Sequence, residues 1–300
     1  MARNPLYFIK YPNNNIHVPP FVFELWMGYG SRVLSVGPVV QYIYDLLVNR
    51  PDKTLLVCHQ SDGQYDIPAE LVNIAKRDDA TIIATAVAGL EPRKNFFYCP
   101  ASDDFFTQPV YDIFSSYHIP WEKKQNLLFW RGGVSGGDWR VNMVRCCLNI
   151  PRTDVKFVDT YSRPGCNPQE TPELFTEKID VKEQMKYKAL LYIDGNSSAS
   201  NATWIFASGS VPVMIMRHEF WFSKHLVPWV HYVPVKWDRT DLVERLQWIW
   251  DNDDAARKIA ENALELSRTI LTPDAQKEYI RNEVDRLVKE RNVKQNTSPL

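Results

Sequence analysis

The stretch YIDGNSSASNATWIFASGSVPVM, residues 192–214, indicates the fold class of this chain. It opens with the end of an apolar run, residues 189–193, which stops at an Asp-Gly-Asn turn signal and is therefore predicted to be a buried strand. A helix is predicted from about Ala202 to near Gly209, and a second apolar strand follows at residues 211–216. A strand, a loop, a helix and a strand in this order form one unit of a parallel α/β sheet.

The loop between the first strand and the helix consists of small residues, which are too polar for a core. They would let a ligand approach the backbone closely, and the free N–H groups at the start of the following helix favour an anion there. The loop is therefore predicted to hold the phosphates of a nucleotide, and an ordinary crossover with a serine-rich loop is the alternative. Its residues are Ser197, Ser198, Ala199, Ser200 and Asn201.

Composition and charge narrow the class of protein. The 300 residues are 45% hydrophobic, which is enough for packed cores in one large or two medium domains. The formal net charge of −1 gives no basis for binding nucleic acid or a membrane surface. No apolar segment approaches the roughly 20 residues of a membrane span, and the N-terminus lacks a signal-peptide stretch. The cysteines have no metal-ligand spacing and are predicted to be reduced, so we expect a cytoplasmic protein.

Alternating apolar runs divide the chain into two α/β halves. Strands are predicted at residues 54–60, 81–87, 96–99, 127–133, 155–161, 189–193, 211–216 and 229–235. Helices are predicted at residues 39–48, 69–76, 139–148, around Lys182, 202–209, 241–252, 256–271 and 273–291. An irregular, proline-bearing segment lies between the halves. This pattern predicts an α/β protein of two Rossmann-like domains that face a cleft.

A second glycine-rich turn, RGGVSGGDWR, covers residues 131–140. Its glycines permit close backbone approach, Ser135 can donate a hydrogen bond, and Arg140 can bind phosphate oxygens in a bidentate way. The turn fits a diphosphate, although a structural turn would explain the glycines equally well. It is neither a Walker A motif nor the GxGxxG fingerprint, and the missing fingerprint disfavours a nucleotide-dependent epimerase.

Three blocks of the sequence resemble glycosyltransferase family 90, the group of capsule-associated fungal proteins and animal protein O-glucosyltransferases. They are LFWRGGVSGG at residues 128–137, the stretch at 192–214, and PWVHYVPVK at 228–236. The resemblance covers residues 103–268 in order, and the third block, followed by Asp-Leu and a tryptophan-bearing helix, is the most specific piece. It implies a GT-B fold, in which a nucleotide sugar lies between two Rossmann-like domains and the sugar is transferred with inversion.

The resemblance also implies a domain organisation. Residues 1–125 are expected to form the acceptor-side domain, and residues 126–270 the domain that binds the nucleotide sugar. In residues 271–300, a C-terminal helix is expected to cross back and pack on the first domain, followed by a tail.

A catalytic base follows from the same resemblance. The family's base is an aspartate in a D-I-x-x-P context upstream of the WRG block, and residues 103–113, DDFFTQPVYDI, supply the candidates here. Asp104 is the predicted base, with Asp103 and Asp112 as alternatives. An inverting transfer needs a carboxylate that deprotonates the acceptor hydroxyl as it attacks the anomeric carbon. Turn formation beside the neighbouring prolines is the structural alternative for these acids.

The implied nucleotide-sugar site contains residues of both glycine-bearing loops. An arginine of the small-residue loop contacts the diphosphate in family members, but Asn201 stands at its position here. Arg140 and the following helix N-terminus are therefore expected to carry more of that charge; a divalent ion could help but is not expected to be required, and no metal ligand is predicted. The predicted site residues are Arg131, Gly132, Gly133, Ser135, Arg140, Asp194, Gly195, Ser197, Ser198, Ala199, Ser200, Asn201 and Glu219.

The predicted function is therefore an inverting glycosyltransferase that moves a sugar from a nucleotide sugar to a hydroxyl of a glycan or oligosaccharide acceptor. The donors implied by the family are UDP-xylose, which is favoured here, and UDP-glucose. No nucleic-acid partner, membrane span or obligatory cofactor is expected. A non-catalytic sugar-nucleotide-binding or scaffold protein of the same fold is the alternative, because Asn201 replaces the arginine.

Overall fold

The computed structural model describes residues 23–27, 42, 46, 56–60, 81–84, 86–88, 96–98, 116–158, 163–195, 198, 199 and 201–297. The chain divides into two compact units. Unit 1 comprises Met1–Gln108, Glu219–Trp221 and Pro273–Leu300, and unit 2 comprises Pro109–His218 and Phe222–Thr272.

Unit 1 contains a parallel sheet of four strands in the order β1-β2-β3-β5. The strands of the first hundred residues are β1 (Phe23–Met27), β2 (Leu56–Gln60), β3 (Thr81–Ala84), β4 (Ala86–Ala88) and β5 (Phe96–Tyr98). The single strand predicted at residues 81–87 is therefore divided into two. Tyr42 and Leu46 are helical, as expected, whereas the helix predicted at residues 69–76 lies outside the described residues.

Unit 2 contains a parallel sheet of five strands in the order β11-β9-β8-β6-β7. Its strands are β6 (Gln125–Gly132), β7 (Thr153–Phe157), β8 (Tyr187–Ile193), β9 (Val211–Ile215) and β11 (Val233–Pro234). The central strands are apolar on both faces: every residue of β9 is buried, and so is every residue of β8 after Tyr187. Continuous burial is typical of a parallel sheet covered by helices on both sides, and it explains why these runs do not alternate in polarity.

Helices cover the sheet of unit 2 and continue to the C-terminus. They are α1 (Asp138–Cys147), α2 (Val181–Gln184), α3 (Asn201–Ala207), α4 (Leu242–Asp251), α5 (Asp253–Ile270) and α6 (Pro273–Thr297). Helix α6 belongs to unit 1, where the Arg281 guanidinium donates to the Tyr42 hydroxyl at 3.1 Å. Two further strands, β4 and β10 (His218–Phe220), form a sheet of their own. The predicted α/β class with parallel sheets is confirmed.

The order of the strands in unit 2 marks where a ligand would bind. Counted along the chain from β6, the five strands lie across the sheet in the order 5-4-3-1-2, so the direction of winding reverses between β6 and β8. In open parallel sheets, ligands bind outside the carboxyl ends of the strands at this switch point. The loops after β6 and β8 are the two loops that the sequence predicts for the nucleotide.

The apolar run at residues 229–235 forms much less strand than its composition predicts. Only Val233–Pro234 pairs, with β9, because the residues before it close a turn. The backbone N–H of Trp229 donates to the Tyr232 carbonyl at 2.7 Å, and Trp229 has a φ of 65°. A bulky residue in this left-handed region cannot continue a strand.

The division into units begins earlier than the predicted boundary near residue 125. Trp121 is buried in the core of unit 2, and its indole N–H donates to the Asp253 carboxylate of helix α5 at 3.0 Å. Lys188 of β8 lies over the same ring, 4.8 Å from its centroid. The residues just before β6 are thus tied to unit 2, which starts at Pro109.

Candidate functional site

Two loops leave neighbouring strands at the switch point of unit 2 and touch each other. The glycine loop, residues 133–137, follows β6, and the small-residue loop, of which residues 194, 195, 198 and 199 are described, follows β8. Gly136 has a φ of +94°, and a Cβ placed on it would lie 3.1 Å from the backbone carbonyl of Gly195. A Cβ on Gly195 would lie 3.0 Å from the Arg140 guanidinium and 3.3 Å from the Ser135 hydroxyl of the glycine loop, so both glycines stand where the two loops approach each other closely.

The Arg140 guanidinium forms hydrogen bonds with both loops, close to the point where each loop begins. Nε donates to the Asp194 carbonyl at 2.9 Å, and one terminal nitrogen donates to the Ile193 carbonyl at 2.9 Å. The other terminal nitrogen donates to the Gly133 carbonyl at 3.1 Å and to the Ser135 hydroxyl at 2.8 Å. Arg140 is 6% exposed, and burial lowers its pKa to about 10. The guanidinium thus holds the two loops together.

The Asp194 side chain, which is completely buried, links the end of β8 to the segment after β9. One carboxylate oxygen accepts from the Tyr192 hydroxyl at 2.6 Å. The other accepts the backbone N–H groups of Arg217 and His218, the latter at 3.0 Å. Three donors and the nearby Arg140 charge compensate this buried carboxylate, so Asp194 positions the loops from inside the protein.

Tyr192 fixes the small-residue loop. Its hydroxyl donates to Asp194 and accepts the backbone N–H of Ala199 at 3.1 Å. Its pKa is raised well above the ordinary value, first by burial and then by the Asp194 charge. The phenol therefore stays neutral and connects the buried carboxylate to the loop backbone.

The Asn201 side chain turns towards the sheet. Its Nδ2 donates to the Leu191 carbonyl at 3.2 Å, and its Oδ1 is buried without a hydrogen-bond partner among the described residues. Helix α3 starts at Asn201, one residue before the predicted position, and ends at Ala207. In this conformation Asn201 contributes to the start of the helix rather than presenting its amide nitrogen outwards.

Arg131 binds strand β7. Its guanidinium donates to the Asp154 carboxylate at 2.7 Å and to the Asp154 carbonyl at 3.0 Å, and it lies over the Phe129 ring, 4.3 Å from the centroid. Gly132, the next residue, ends β6. The guanidinium of Arg131 thus joins two strands, and the structure does not bring it to the pair of loops.

A third arginine lies at the carboxyl end of β9. The Arg217 side chain is exposed, and its guanidinium carbon lies 5.7 Å from the Trp139 ring centroid and 6.0 Å from that of Trp237. Trp139 also donates its indole N–H to the Asp194 carbonyl at 2.8 Å. The sequence interpretation missed Arg217 and Tyr192. The position of Arg217, directly after a predicted buried strand, was the available signal for it.

The structure brings together one part of the predicted site. Gly133, Ser135, Arg140, Asp194 and Gly195 meet, and Ala199 is tied to them through Tyr192. Glu219 lies in β10 and belongs to unit 1. The residues that lie outside the described part of the chain are Asp103, Asp104, Asp112, Ser197 and Ser200.

Neither a metal-binding cluster nor a membrane-spanning helix occurs among the described residues. Among them, no group of three or more His, Cys, Asp or Glu side chains is arranged to hold a metal ion. In the same part of the chain, no helix combines the length and apolarity that crossing a membrane requires.

Comparisons with known proteins point to one family. The chain is 35% identical over 202 residues to Uncharacterized protein 179R of Invertebrate iridescent virus 6, covering 56% of this chain and 17% of the relative. It is 31% identical over 160 residues to Protein O-glucosyltransferase 2 of Danio rerio, covering 52% of this chain and 31% of that relative. The chain thus spans less than a third of the length of either relative.

A solved structure supports the fold at low sequence identity. The glycosyltransferase from Rickettsia africae matches with a TM-score of 0.51 at 10% identity, over 88% of this chain and 84% of that one. The sequence model of Glycosyl transferase family 90 matches residues 111–292. Because this match covers more than half of the chain and includes both loops at the switch point, the protein belongs to Glycosyl transferase family 90.

Proposed function

We propose that this protein is a glycosyltransferase that uses a UDP-sugar as donor, with the nucleotide diphosphate bound at the glycine loop and the small-residue loop of unit 2. The observation that carries the proposal is the contact of these loops at the switch point of a parallel sheet, in a chain of this family. The Arg140 guanidinium, which is hydrogen-bonded to both loops, supplies a positive charge that favours an anion, and backbone N–H groups of loops of this kind bind phosphate oxygens.

The proposed reaction is an inverting transfer. The acceptor hydroxyl oxygen attacks the anomeric carbon, the bond from that carbon to the diphosphate oxygen breaks, and UDP leaves with the electron pair. A carboxylate takes the hydroxyl proton. We assign this role to Asp104, with Asp103 and Asp112 as alternatives, on the family resemblance alone. The acceptor we propose is a hydroxyl of a glycan, and no metal ion is required in this scheme.

The proposal also names the sugar that the donor carries. The sequence analysis favours UDP-xylose, whereas the Danio rerio relative is named an O-glucosyltransferase, which favours UDP-glucose. The two donors differ by one hydroxymethyl group, which a pocket discriminates by only about 1–3 kcal/mol. We therefore propose UDP-glucose as the first donor to test, with UDP-xylose as a substrate of the same site.

A non-catalytic sugar-nucleotide-binding protein is the second candidate, and Asn201 favours it. This residue is neutral and turns its amide nitrogen to the Leu191 carbonyl, so it adds no charge that would stabilise a leaving diphosphate.

A donor screen separates the two candidates. The full chain is incubated with UDP-glucose, UDP-xylose, a GDP-sugar and a dTDP-sugar, with and without an oligosaccharide mixture and with EDTA in a parallel series, and nucleoside diphosphate release is measured. We expect release of UDP from one or both UDP-sugars, also in EDTA. Binding of UDP without release from any donor would establish the non-catalytic candidate, and preference for a GDP- or dTDP-sugar would contradict the UDP donor.

A further inference from the structure

The positively charged guanidinium of Arg217 lies at the edge of the two loops, and its position is fixed by neighbouring groups. Its backbone N–H donates to the buried Asp194 carboxylate, and this hydrogen bond fixes the position of the Arg217 backbone. Its guanidinium then lies near the faces of two tryptophans, at 5.7 Å from the Trp139 centroid and 6.0 Å from the Trp237 centroid. These two rings are themselves in contact, with centroids 5.8 Å apart. Stacking on aromatic faces limits the conformations of the long side chain, so less entropy is lost when it binds a ligand.

This cation differs from the other two arginines of the region in what surrounds it. The Arg131 guanidinium is paired with Asp154, and the Arg140 guanidinium is bound by four protein acceptors. Within the part of the chain that the structure describes, Arg217 forms no ion pair with a carboxylate, and its side chain is exposed. Its guanidinium thus keeps hydrogen-bond donors for an external anion.

Trp139 places Arg217 beside both loops. The Trp139 ring lies against the glycine loop, since a Cβ on Gly136 would come within 3.0 Å of it. Its indole N–H binds the Asp194 carbonyl, where the small-residue loop begins. The ring that the Arg217 guanidinium stacks on is therefore part of the wall of the two loops.

We propose that Arg217 binds the diphosphate of the nucleotide sugar and neutralises the charge that develops on it as the sugar leaves. This inference rests on the proposed function of the two loops. The planar guanidinium presents paired N–H donors that match two phosphate oxygens, a geometry that a lysine ammonium does not reproduce. Trp139 and Trp237 act as positioning residues for Arg217, and Asn201 contributes no charge.

Binding measurements on the full chain test this role. Isothermal titration calorimetry with UDP, and ligand-observed NMR with uridine, are applied to the wild type, Arg217→Gln, Arg217→Lys and the control Arg268→Gln. Arg268 is an exposed cation of helix α5 whose nearest carboxylate, that of Glu265, is 3.9 Å away, so its loss changes the net charge equally. Circular dichroism establishes that each variant is folded, which is expected because Arg217 is exposed.

The Arg217→Gln protein should bind UDP about 10- to 150-fold more weakly, the effect of a lost charged hydrogen bond. Its affinity for uridine should be unchanged, because uridine carries no phosphate. Arg217→Lys should fall between Arg217→Gln and the wild type, and Arg268→Gln should match the wild type. Arg217→Gln binding UDP within about twofold of the wild type would overturn the role of Arg217 and leave the UDP donor standing.

The same experiment distinguishes failure of the proposed donor from failure of this inference. If the wild type does not bind UDP but binds GDP, ADP or dTDP, and Arg217→Gln loses that binding, the UDP donor is wrong and the role of Arg217 holds. If the wild type binds none of these diphosphates, both proposals are overturned.

Discussion

Arg140 of helix α1 donates a hydrogen bond from Nε to the carbonyl oxygen of Asp194, at the end of strand β8, over 2.9 Å. The carboxylate of the same aspartate accepts the backbone N–H groups of Arg217 and His218. Through these two residues, the glycine loop, the small-residue loop and the segment after β9 are joined by buried hydrogen bonds. A change in one of them should therefore displace the others.

Replacing Arg140 by lysine should destabilise the fold. A single ammonium cannot reach the four acceptors that the guanidinium serves, so buried carbonyl groups lose their partners. The free energy of unfolding should fall by about 2–3 kcal/mol, measured by urea denaturation with tryptophan fluorescence. Arg145→Lys, an exposed change on the same helix, is the control and should stay within about 0.5 kcal/mol of the wild type. Equal stability of the two variants would mean that Arg140 does not hold the loops.

Replacing Gly136 by alanine tests the contact between the loops. Gly165 serves as a matched control because it also has a positive φ, +78° against +94°, but a Cβ on it would meet nothing within 4 Å. Gly165→Ala should therefore cost only backbone strain, about 1 kcal/mol. Gly136→Ala should lower the free energy of unfolding by about 1–3 kcal/mol more and weaken UDP binding, since the loops must separate. Identical losses of stability and unchanged UDP affinity in both variants would show that the close approach is unimportant.

Lys124 should make stability depend on pH. Its buried ammonium donates to the Met185 and Ser208 carbonyls and to the Ser210 hydroxyl, and burial lowers its pKa from 10.5 to about 8. Between these values the unfolded chain binds a proton that the folded protein has released, so the contribution of Lys124 to the free energy of unfolding rises with pH. Below pH 8 this contribution should be constant.

The measurement is the difference in unfolding free energy between the wild type and Lys124→Met, taken from pH 7 to pH 11. The wild type should gain up to about 3 kcal/mol relative to the variant across this range. Parallel pH profiles for the two proteins would refute the lowered pKa.

Asp104→Asn should strongly reduce turnover without changing the affinity for the donor nucleotide. A general base acts in the transition state, so kcat should fall by about 10²- to 10⁴-fold while the Kd for UDP stays at the wild-type value. Asp103→Asn and Asp112→Asn are the matched comparisons, each removing one charge from the same segment. Full activity of Asp104→Asn, combined with loss of activity in one of the other two, would reassign the base.

The fold of unit 2 could be predicted in detail because its strands are continuous apolar runs. Strands β6, β8 and β9 and helix α1 lie within about two residues of the predicted bounds. The sequence analysis assigned the two loops to one nucleotide site, and in the structure they are in contact at Gly136 and Gly195. The strand predicted at residues 229–235 is shorter because Trp229 adopts a left-handed backbone conformation, which composition does not reveal.

The side-chain partners within the site could not be predicted, because they come from distant parts of the chain. Arg140 and Asp194 are 54 residues apart, and Trp139 meets Trp237 only in the folded sheet. The sequence made Arg140 a direct phosphate ligand, and this role stays a prediction beside its observed hydrogen bonds to the loops. Trp237 lies beside Arg217, from which it is 20 residues away in the chain. The assignment of Asp104 likewise stays a prediction, since its segment lies outside the described residues.

Hydrogen–deuterium exchange with and without UDP tests whether the two loops of unit 2 bind the donor nucleotide, as we propose. UDP should slow amide exchange in peptides that cover residues 132–137 and 194–201, with weaker protection at residues 216–218. Protection confined to other peptides, at a UDP concentration that saturates binding in calorimetry, would contradict this proposal.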